Sequence, residues 1–183
     1  MSAELPARPS LVLIDGRSGS GKTELARAVV AGWHGEPAPQ LLRLDDLYPG
    51  WDGLEAASAQ VAEIVRTHRW RAWDWAHDRP GHWHDLDPAR PLVIEGVGAL
   101  TRQSKPLADT SIWVSLDDDT RKARALARDG EAFAPHWDRW ARQELALIAR
   151  ESPEQLADLV IDGRSAERAW LTAEAALFGD TSG

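Results

Sequence analysis

The sequence predicts an α/β fold: a parallel sheet covered by helices on both faces. Three observations carry this expectation. Short apolar runs alternate with segments of helical periodicity along the chain. The runs are continuously apolar rather than alternating, which is the pattern of strands buried on both sides. A Gly/Ser-rich loop joins the first run to the first helical segment, as a tight strand-to-helix turn requires.

Each element follows from local chemistry. Residues 10–15, Ser-Leu-Val-Leu-Ile-Asp, lie between Pro9 and Gly16 and read as a buried strand. In 23–33, Leu25, Ala28, Val29 and Gly32 recur at helical spacing until Gly35, Pro37 and Pro39 stop the helix. Residues 41–44 form a second strand ending at Asp45-Asp46, and Tyr48-Pro49-Gly50 is turn chemistry. Residues 54–68 place apolar side chains at 54, 57, 61, 64 and 65, so one amphipathic helix is expected. Residues 70–90 hold four Trp, three His and two Pro and read as an irregular, rigid stretch. Residues 91–95 form a third strand closed by Gly96, and 111–116 a fourth. Asp117–Asp119 offers a cap and first-turn acids to an Arg-rich helix reaching about Asp129. A helix over 135–150, a fifth strand over 159–161 and a helix over 166–178 complete the series, with 179–183 expected to fray.

Composition narrows the function. The 183 residues are 43% hydrophobic, which suits one domain with a normal core and excludes a mainly disordered chain. The net charge of −8 disfavours a nucleic-acid polymer as partner, since such binding needs a basic footprint. Without cysteine there are no disulfides, thiolate metal sites or Cys nucleophiles. No run approaches the roughly 20 apolar residues of a membrane span. Met1–Pro9 lacks the apolar core of a signal peptide, so no membrane partner and a cytoplasmic location are expected. Ten of the thirteen aromatic residues are Trp, and only Lys22, Lys105 and Lys122 are lysines. GC-rich codon usage accounts for most of that bias, yet one of the three lysines stands in the most informative motif.

Gly16-Arg17-Ser18-Gly19-Ser20-Gly21-Lys22-Thr23 fits the phosphate-loop pattern G-x-x-x-x-G-K-[ST] at every fixed position, between an expected strand and an expected helix. Glycines let backbone N–H groups converge on phosphate oxygens, and the helix N-terminus adds positive potential. Lys22 can reach the β- and γ-phosphates of ATP, and Thr23 can hold Mg²⁺. Gly16, Ser18, Gly19, Ser20 and Gly21 supply the cradle.

In open α/β sheets ligands bind beyond the carboxyl ends of the strands. Asp45, Asp46 and Glu95 stand there. Asp45 and Glu95 can serve as the base for an acceptor hydroxyl and as carboxylates near Mg²⁺. Arg121, Arg124 and Arg128, at i, i+3 and i+7, share a helical face and can neutralise charge on a transferred phosphoryl group. Trp73-Asp74-Trp75 offers indole faces for a flat ring or a sugar, with Asp74, His77 or Arg79 to orient it; packing of these rings onto the sheet edge is equally open. His77, His82 and His84 match no settled metal-ligand spacing. Trp137 and Trp140 share a helix face and are expected to pack.

In order along most of the chain, this set resembles the uridine kinase group of P-loop kinases, which includes phosphoribulokinase and other small-metabolite kinases. Gly16–Thr23 matches the group's phosphate loop. Asp45-Asp46-Leu47-Tyr48 resembles its Asp-x-aromatic-Tyr segment, whose first Asp is the catalytic base. Val93-Ile94-Glu95-Gly96 resembles the segment whose Glu lies near Mg²⁺, and Asp119 to Asp129 the lid helix with its phosphate-contacting arginines. Residues 157–163 resemble the final strand segment. Two stretches depart from the group. Residues 70–84 lack its usual Asn-x-Asp-His-Pro pattern, and Gly130-Glu131 replaces the long basic run of its lid. The resemblance implies a five-stranded sheet in the order 2-3-1-4-5, a lid over about 117–135 and an acceptor-side segment over about 45–90, all in one domain. It implies an ATP- and Mg²⁺-dependent kinase acting on a hydroxyl of a small molecule, with a nucleoside favoured and Asp46 and Tyr48 near it. A nucleoside-monophosphate kinase and an ATP-binding regulatory module are the rival expectations.

Overall fold

The computed structural model describes residues 10–179, with the side chain of Asp129 left out. The expectations for Met1–Pro9 and for fraying over 180–183 lie outside the described residues. Five parallel strands form the central sheet: β1 (Leu11–Asp15), β2 (Gln40–Arg43), β5 (Leu92–Glu95), β6 (Thr110–Ser115) and β7 (Leu159–Asp162). Their spatial order is β2-β5-β1-β6-β7. Counting only these strands, that is the expected 2-3-1-4-5.

The central strands β1 and β5 are buried on both faces, while the edge strands β2 and β7 are only partly buried; β1 alternates between two cores. Leu11 and Leu13 pack on one side with Leu42, Ile94, Leu100, Trp137 and Trp140. Val12 and Ile14 pack on the other with Leu25, Val29, Ile112, Val114 and Ala173. The second core is closed by α1 (Lys22–Ala31) and α7 (Ala166–Phe178). The first is closed by α2 (Leu54–Ser58), α3 (Val61–Thr67), α4 (Asp118–Phe133) and α5 (Trp137–Glu151). A short helix, α6 (Pro153–Leu156), leads into β7. Among the described residues, no helix is long and apolar enough to cross a membrane.

Three local expectations need correction. The single helix over 54–68 is two helices. Gln60 donates its backbone N–H to the carbonyl of Ala57, while its side-chain amide takes the carbonyl of Ala56, so the turn tightens there. The stretch 70–90 is irregular only at the turn 75–78 and past Asp85. It is an antiparallel hairpin, β3 (Arg69–Asp74) with β4 (Arg79–Asp85). Its register shifts between Arg71 and Trp73, which spoils the period-2 pattern, and Pro80 sits within the second strand. The Arg-rich helix continues past Asp129 to Phe133, across a kink at Gly130 with φ 54° and ψ −135°. Its start is as expected: the Asp117 side chain accepts from the Thr120 N–H at 2.9 Å, a cap worth about 1 kcal/mol.

Candidate functional site

The loop 16–21 leaves the carboxyl end of β1 and delivers Lys22 and Thr23 as the first residues of α1. The loop is held from two sides. At Gly19, with φ 80°, a Cβ would stand 2.0 Å from the Arg121 carbonyl oxygen of α4. At Gly163, just past β7, a Cβ would stand 1.9 Å from the Ser20 carbonyl oxygen. Neither position admits a side chain.

Asp15 anchors the root of the loop. Its buried carboxylate accepts N–H bonds from Gly16 at 2.6 Å, Gly98 at 3.1 Å and Leu100 at 2.9 Å. Burial nonetheless pushes its pKa up to about 7, against those bonds and the charge of Lys22.

Two cavities adjoin the loop. The first, of about 590 Å³, is bordered by Gly19, Gly21, Lys22, Thr23, Arg124, Arg128 and Gly163. Arg124 is fixed there by bonds to the carbonyls of Gly163 at 2.7 Å and Arg164 at 3.0 Å. The second, of about 330 Å³, is bordered by Asp45, Tyr48, Trp51, Trp75, Phe133 and Trp140, together with Ser18, Arg128 and Ala132. Arg128 borders both.

The aromatic cavity is built from distant segments. Trp51 lies parallel to His136 at 4.4 Å and to Phe133 at 5.4 Å, and meets Trp75 edge-on at 5.3 Å. Tyr48 meets Trp140 edge-on at 4.7 Å and donates its hydroxyl to the Val97 carbonyl at 2.8 Å. Burial holds that hydroxyl well above the usual tyrosine range. Trp75 donates its Nε1–H to the Asp45 carbonyl at 2.9 Å, which ties the hairpin turn to the end of β2. The buried Nε1 of Trp140 has no hydrogen-bond partner, nor does the buried Oγ of Ser20 in the loop. Both are donors with capacity for a ligand.

Two carboxylates stand close by: Asp45 borders the aromatic cavity, and Glu95 reaches the phosphate side through Thr23. Thr23 donates its hydroxyl to Glu95 Oε1 at 3.1 Å. Glu95 is only 1% exposed, and burial raises its pKa against the pull of Lys22. Arg43, at the end of β2, bridges the two acids: it donates to Asp45 Oδ2 at 3.3 Å and its Nε lies 3.5 Å from Glu95 Oε1. Burial works against the Arg43 charge, but Asp45, Asp46 and Glu95 outweigh it and raise its pKa. Among the described residues, no group of three His, Asp or Glu side chains could hold a metal ion. The Thr23 hydroxyl beside the Glu95 carboxylate is a hard-oxygen pair of the kind that suits Mg²⁺ shared with a bound triphosphate.

The structure brings most of the sequence-expected residues together and sets others apart. Asp45, Tyr48, Trp75 and Arg128 share the aromatic cavity, and Lys22, Thr23, Arg124 and Arg128 the phosphate-loop cavity. Arg121 is elsewhere. It shares a stripe with Arg128 but sits about 10 Å back along the helix axis. There it is 3% exposed, bonded to Asp118 at 2.9 Å and to the Ser18 carbonyl at 3.4 Å. Trp73, Asp74 and Arg79 border a separate groove of the hairpin with His82 and His84. Asp74 pairs with His77 at 2.8 Å and with Arg79 at 3.6 Å. Asp46 is exposed and borders neither cavity.

Sequence reasoning missed Arg43, Trp51, Phe133 and Glu144, and favoured packing over binding for Trp140. The signal for Glu144 was present. It is the one acid on the buried stripe Trp137, Trp140, Glu144, Leu147 of α5. Nothing local marks Trp51 or Phe133, whose placement depends on the tertiary meeting of the loop at Trp51 with the end of α4.

No family model matches the chain. Uridine kinases of Streptococcus pneumoniae strains are 25% identical to it over 182 residues, covering 84% of this chain and 85% of theirs. Among solved structures, a possible uridine kinase from Bacillus stearothermophilus superposes with a TM-score of 0.58 at 19% identity, over 87% of this chain and 92% of that one. A sugar kinase from Janibacter sp. HTCC2649 also reaches 0.58, at 17% identity, over 95% of this chain and 97% of that one. The sequence similarity and the shared fold agree with the resemblance carried by the motifs.

Proposed function

We propose that this uridine kinase-like phosphotransferase moves the γ-phosphoryl group of ATP to a hydroxyl of a small metabolite, with a nucleoside first among candidates. The observation that supports it most is the meeting of two cavities at Arg128. One is walled by the phosphate loop, the other by aromatic rings around the Asp45 carboxylate.

The chemistry follows from this chain's own groups. Loop amides and Lys22 bind the β- and γ-phosphates. Arg124 and Arg128 offset charge on the group in flight. Asp45 accepts the proton of the acceptor hydroxyl as its oxygen bonds to the γ-phosphorus, and the bond to the β-phosphate oxygen breaks to release ADP. Thr23 and Glu95 would hold Mg²⁺, which supplies charge neutralisation across the phosphates when bound. Trp75 and Trp140 offer faces and edges for a flat ring or a sugar.

The cavity chemistry favours an uncharged acceptor. Arg128 is the single cation bordering the aromatic cavity among the described residues, and the phosphate side also uses it. A monophosphate acceptor would need basic groups of its own. The test is ADP release from ATP and Mg²⁺ across a panel of nucleosides, sugars and nucleoside monophosphates. Turnover with a neutral hydroxyl compound, lost in Asp45→Asn, is the expected result. Preference for monophosphates, or tight ATP binding with no product from any acceptor, would overturn the proposal.

A further inference from the structure

Glu144 is a fully buried acid to which the proposed reaction assigns no role. It projects from the middle of α5 and is 0% exposed. Burying a carboxylate is costly unless charge and hydrogen bonds compensate it, and an apolar residue of similar size would fill the space without that cost. Its partners therefore matter. Oε1 accepts the backbone N–H of Ser18 at 2.8 Å, and Oε2 accepts Arg17 Nε at 3.0 Å. Arg121 Nη1 lies 3.6 Å from Oε2. The Asp118 carboxylate closes the cluster, accepting from Arg17 at 2.8 Å and Arg121 at 2.9 Å.

Two features set this cluster apart from ordinary packing. It grips the first limb of the phosphate loop, residues 17 and 18, from helices that also wall the acceptor side. Trp140 stands one turn before Glu144 on α5 and borders the aromatic cavity, as does Ser18. It also consumes cations. Arg17 is in the loop and Arg121 lies beside it, yet neither residue borders either cavity. Their guanidiniums are turned to Glu144 and Asp118, leaving Lys22, Arg124 and Arg128 at the phosphate-side cavity.

We propose that Glu144 is a positioning residue for phosphoryl transfer. It fixes residues 17 and 18 in the shape that receives nucleotide and keeps Arg17 and Arg121 off the phosphates. The inference rests on the reading that the loop binds ATP.

Titration calorimetry with a non-hydrolysable ATP analogue and Mg²⁺ tests it without knowledge of the acceptor. Glu144→Gln keeps an oxygen for the Ser18 N–H but sets an amide N–H₂ against Arg17. Losing one charge-assisted bond should weaken analogue binding about tenfold. Glu144→Ala loses both bonds and should weaken it further. Leu177→Ala, a core change in α7 remote from the loop, should lower the melting temperature and leave the analogue Kd unchanged. Should Glu144→Ala not fold, Arg17→Gln, expected to weaken binding about threefold to fivefold, decides together with Glu144→Gln. Wild-type Kd in both of these variants would overturn the role of Glu144 alone. Failure of the wild-type protein to bind the analogue would instead overturn the ATP reading and this inference with it.

Discussion

The two cavities are built by opposite means. The phosphate side sets one continuous loop, through Gly19, Gly21, Lys22 and Thr23, against α4 and the segment after β7, and in the proposed reaction the loop's backbone groups are its main ligands. The acceptor side draws on five separated places: the end of β2, the loop at Trp51, the hairpin turn at Trp75, the α4–α5 corner at Phe133 and Trp140, and Ser18 of the phosphate loop itself. Phosphate is the same in every substrate of this kind, so a short backbone cradle suffices for it. Acceptors differ, and a wall of side chains on separate loops can vary without disturbing the cradle. The donor half is therefore expected to fail all at once, and the acceptor half by degrees.

The largest effect is expected from Lys22→Ala. Loss of the cation at the β- and γ-phosphates should lower turnover on the order of 10³-fold, with the melting temperature little changed, as measured by ADP release and calorimetry. Near-normal turnover would break the assignment of the donor half. Asp45→Asn comes next. Removing a positioned base should cost about 10²–10³-fold in kcat, while affinity for the ATP analogue stays near the wild-type value because Asp45 borders the other cavity. A matching loss of analogue binding would mean that Asp45 serves the donor side.

Asp15 stands where the halves join, since its carboxylate ties the loop root to the 98–100 segment. Its folded pKa of about 7 lies above its ordinary value of 3.8. The folded protein thus keeps a proton that the unfolded chain gives up. The resulting stability is complete below about 3.8 and is lost as the pH rises through 7. Between pH 5 and 8 this should remove roughly 2–3 kcal/mol. Glu95, also raised by burial, acts in the same direction. The measurement is therefore the difference in urea stability between wild type and Asp15→Asn at the two pH values. Asp15→Asn should be less stable at pH 5 and flatter with pH; equal slopes would sink the assignment.

Legibility in the sequence divides along the same line. The strands and the phosphate loop were readable because continuous apolar runs and a fixed Gly/Lys spacing are local signals. The order 2-3-1-4-5 came from the resemblance, not from the strands themselves. The hairpin was hidden by a register shift and by Pro80, which together erase the alternation that marks a strand pair. Trp73 and Trp75 looked equivalent by spacing. The chain turns after Asp74, however, sending Trp75 to Asp45 while Trp73 borders the outer groove. Glu144 could be singled out as the one acid on the buried stripe of α5, but its partners Arg17 and Ser18 are remote in sequence; Arg43 is a single charged residue at a strand end whose bridge to Glu95 only the fold reveals.

The smallest effect is expected at Trp75, and it tests the comparison most finely. Its indole borders the acceptor cavity and its Nε1–H holds the Asp45 carbonyl. At 41% exposed, it contributes little to the core. Trp75→Leu removes a stacking face and the bond, and should raise the acceptor KM about tenfold, equivalent to roughly 1.4 kcal/mol. The KM for ATP should not move, because no residue of the hairpin borders the phosphate-side cavity. If the bond to Asp45 matters more than the face, kcat will fall and the acceptor KM will hold. Trp75→His, which keeps a ring N–H on a smaller ring, then separates the two: recovery of kcat without recovery of KM assigns the bond to base placement and the face to acceptor binding. An equal rise in both KM values would dissolve the distinction between the halves, since it would show that a side chain of the acceptor wall also shapes the phosphate cradle.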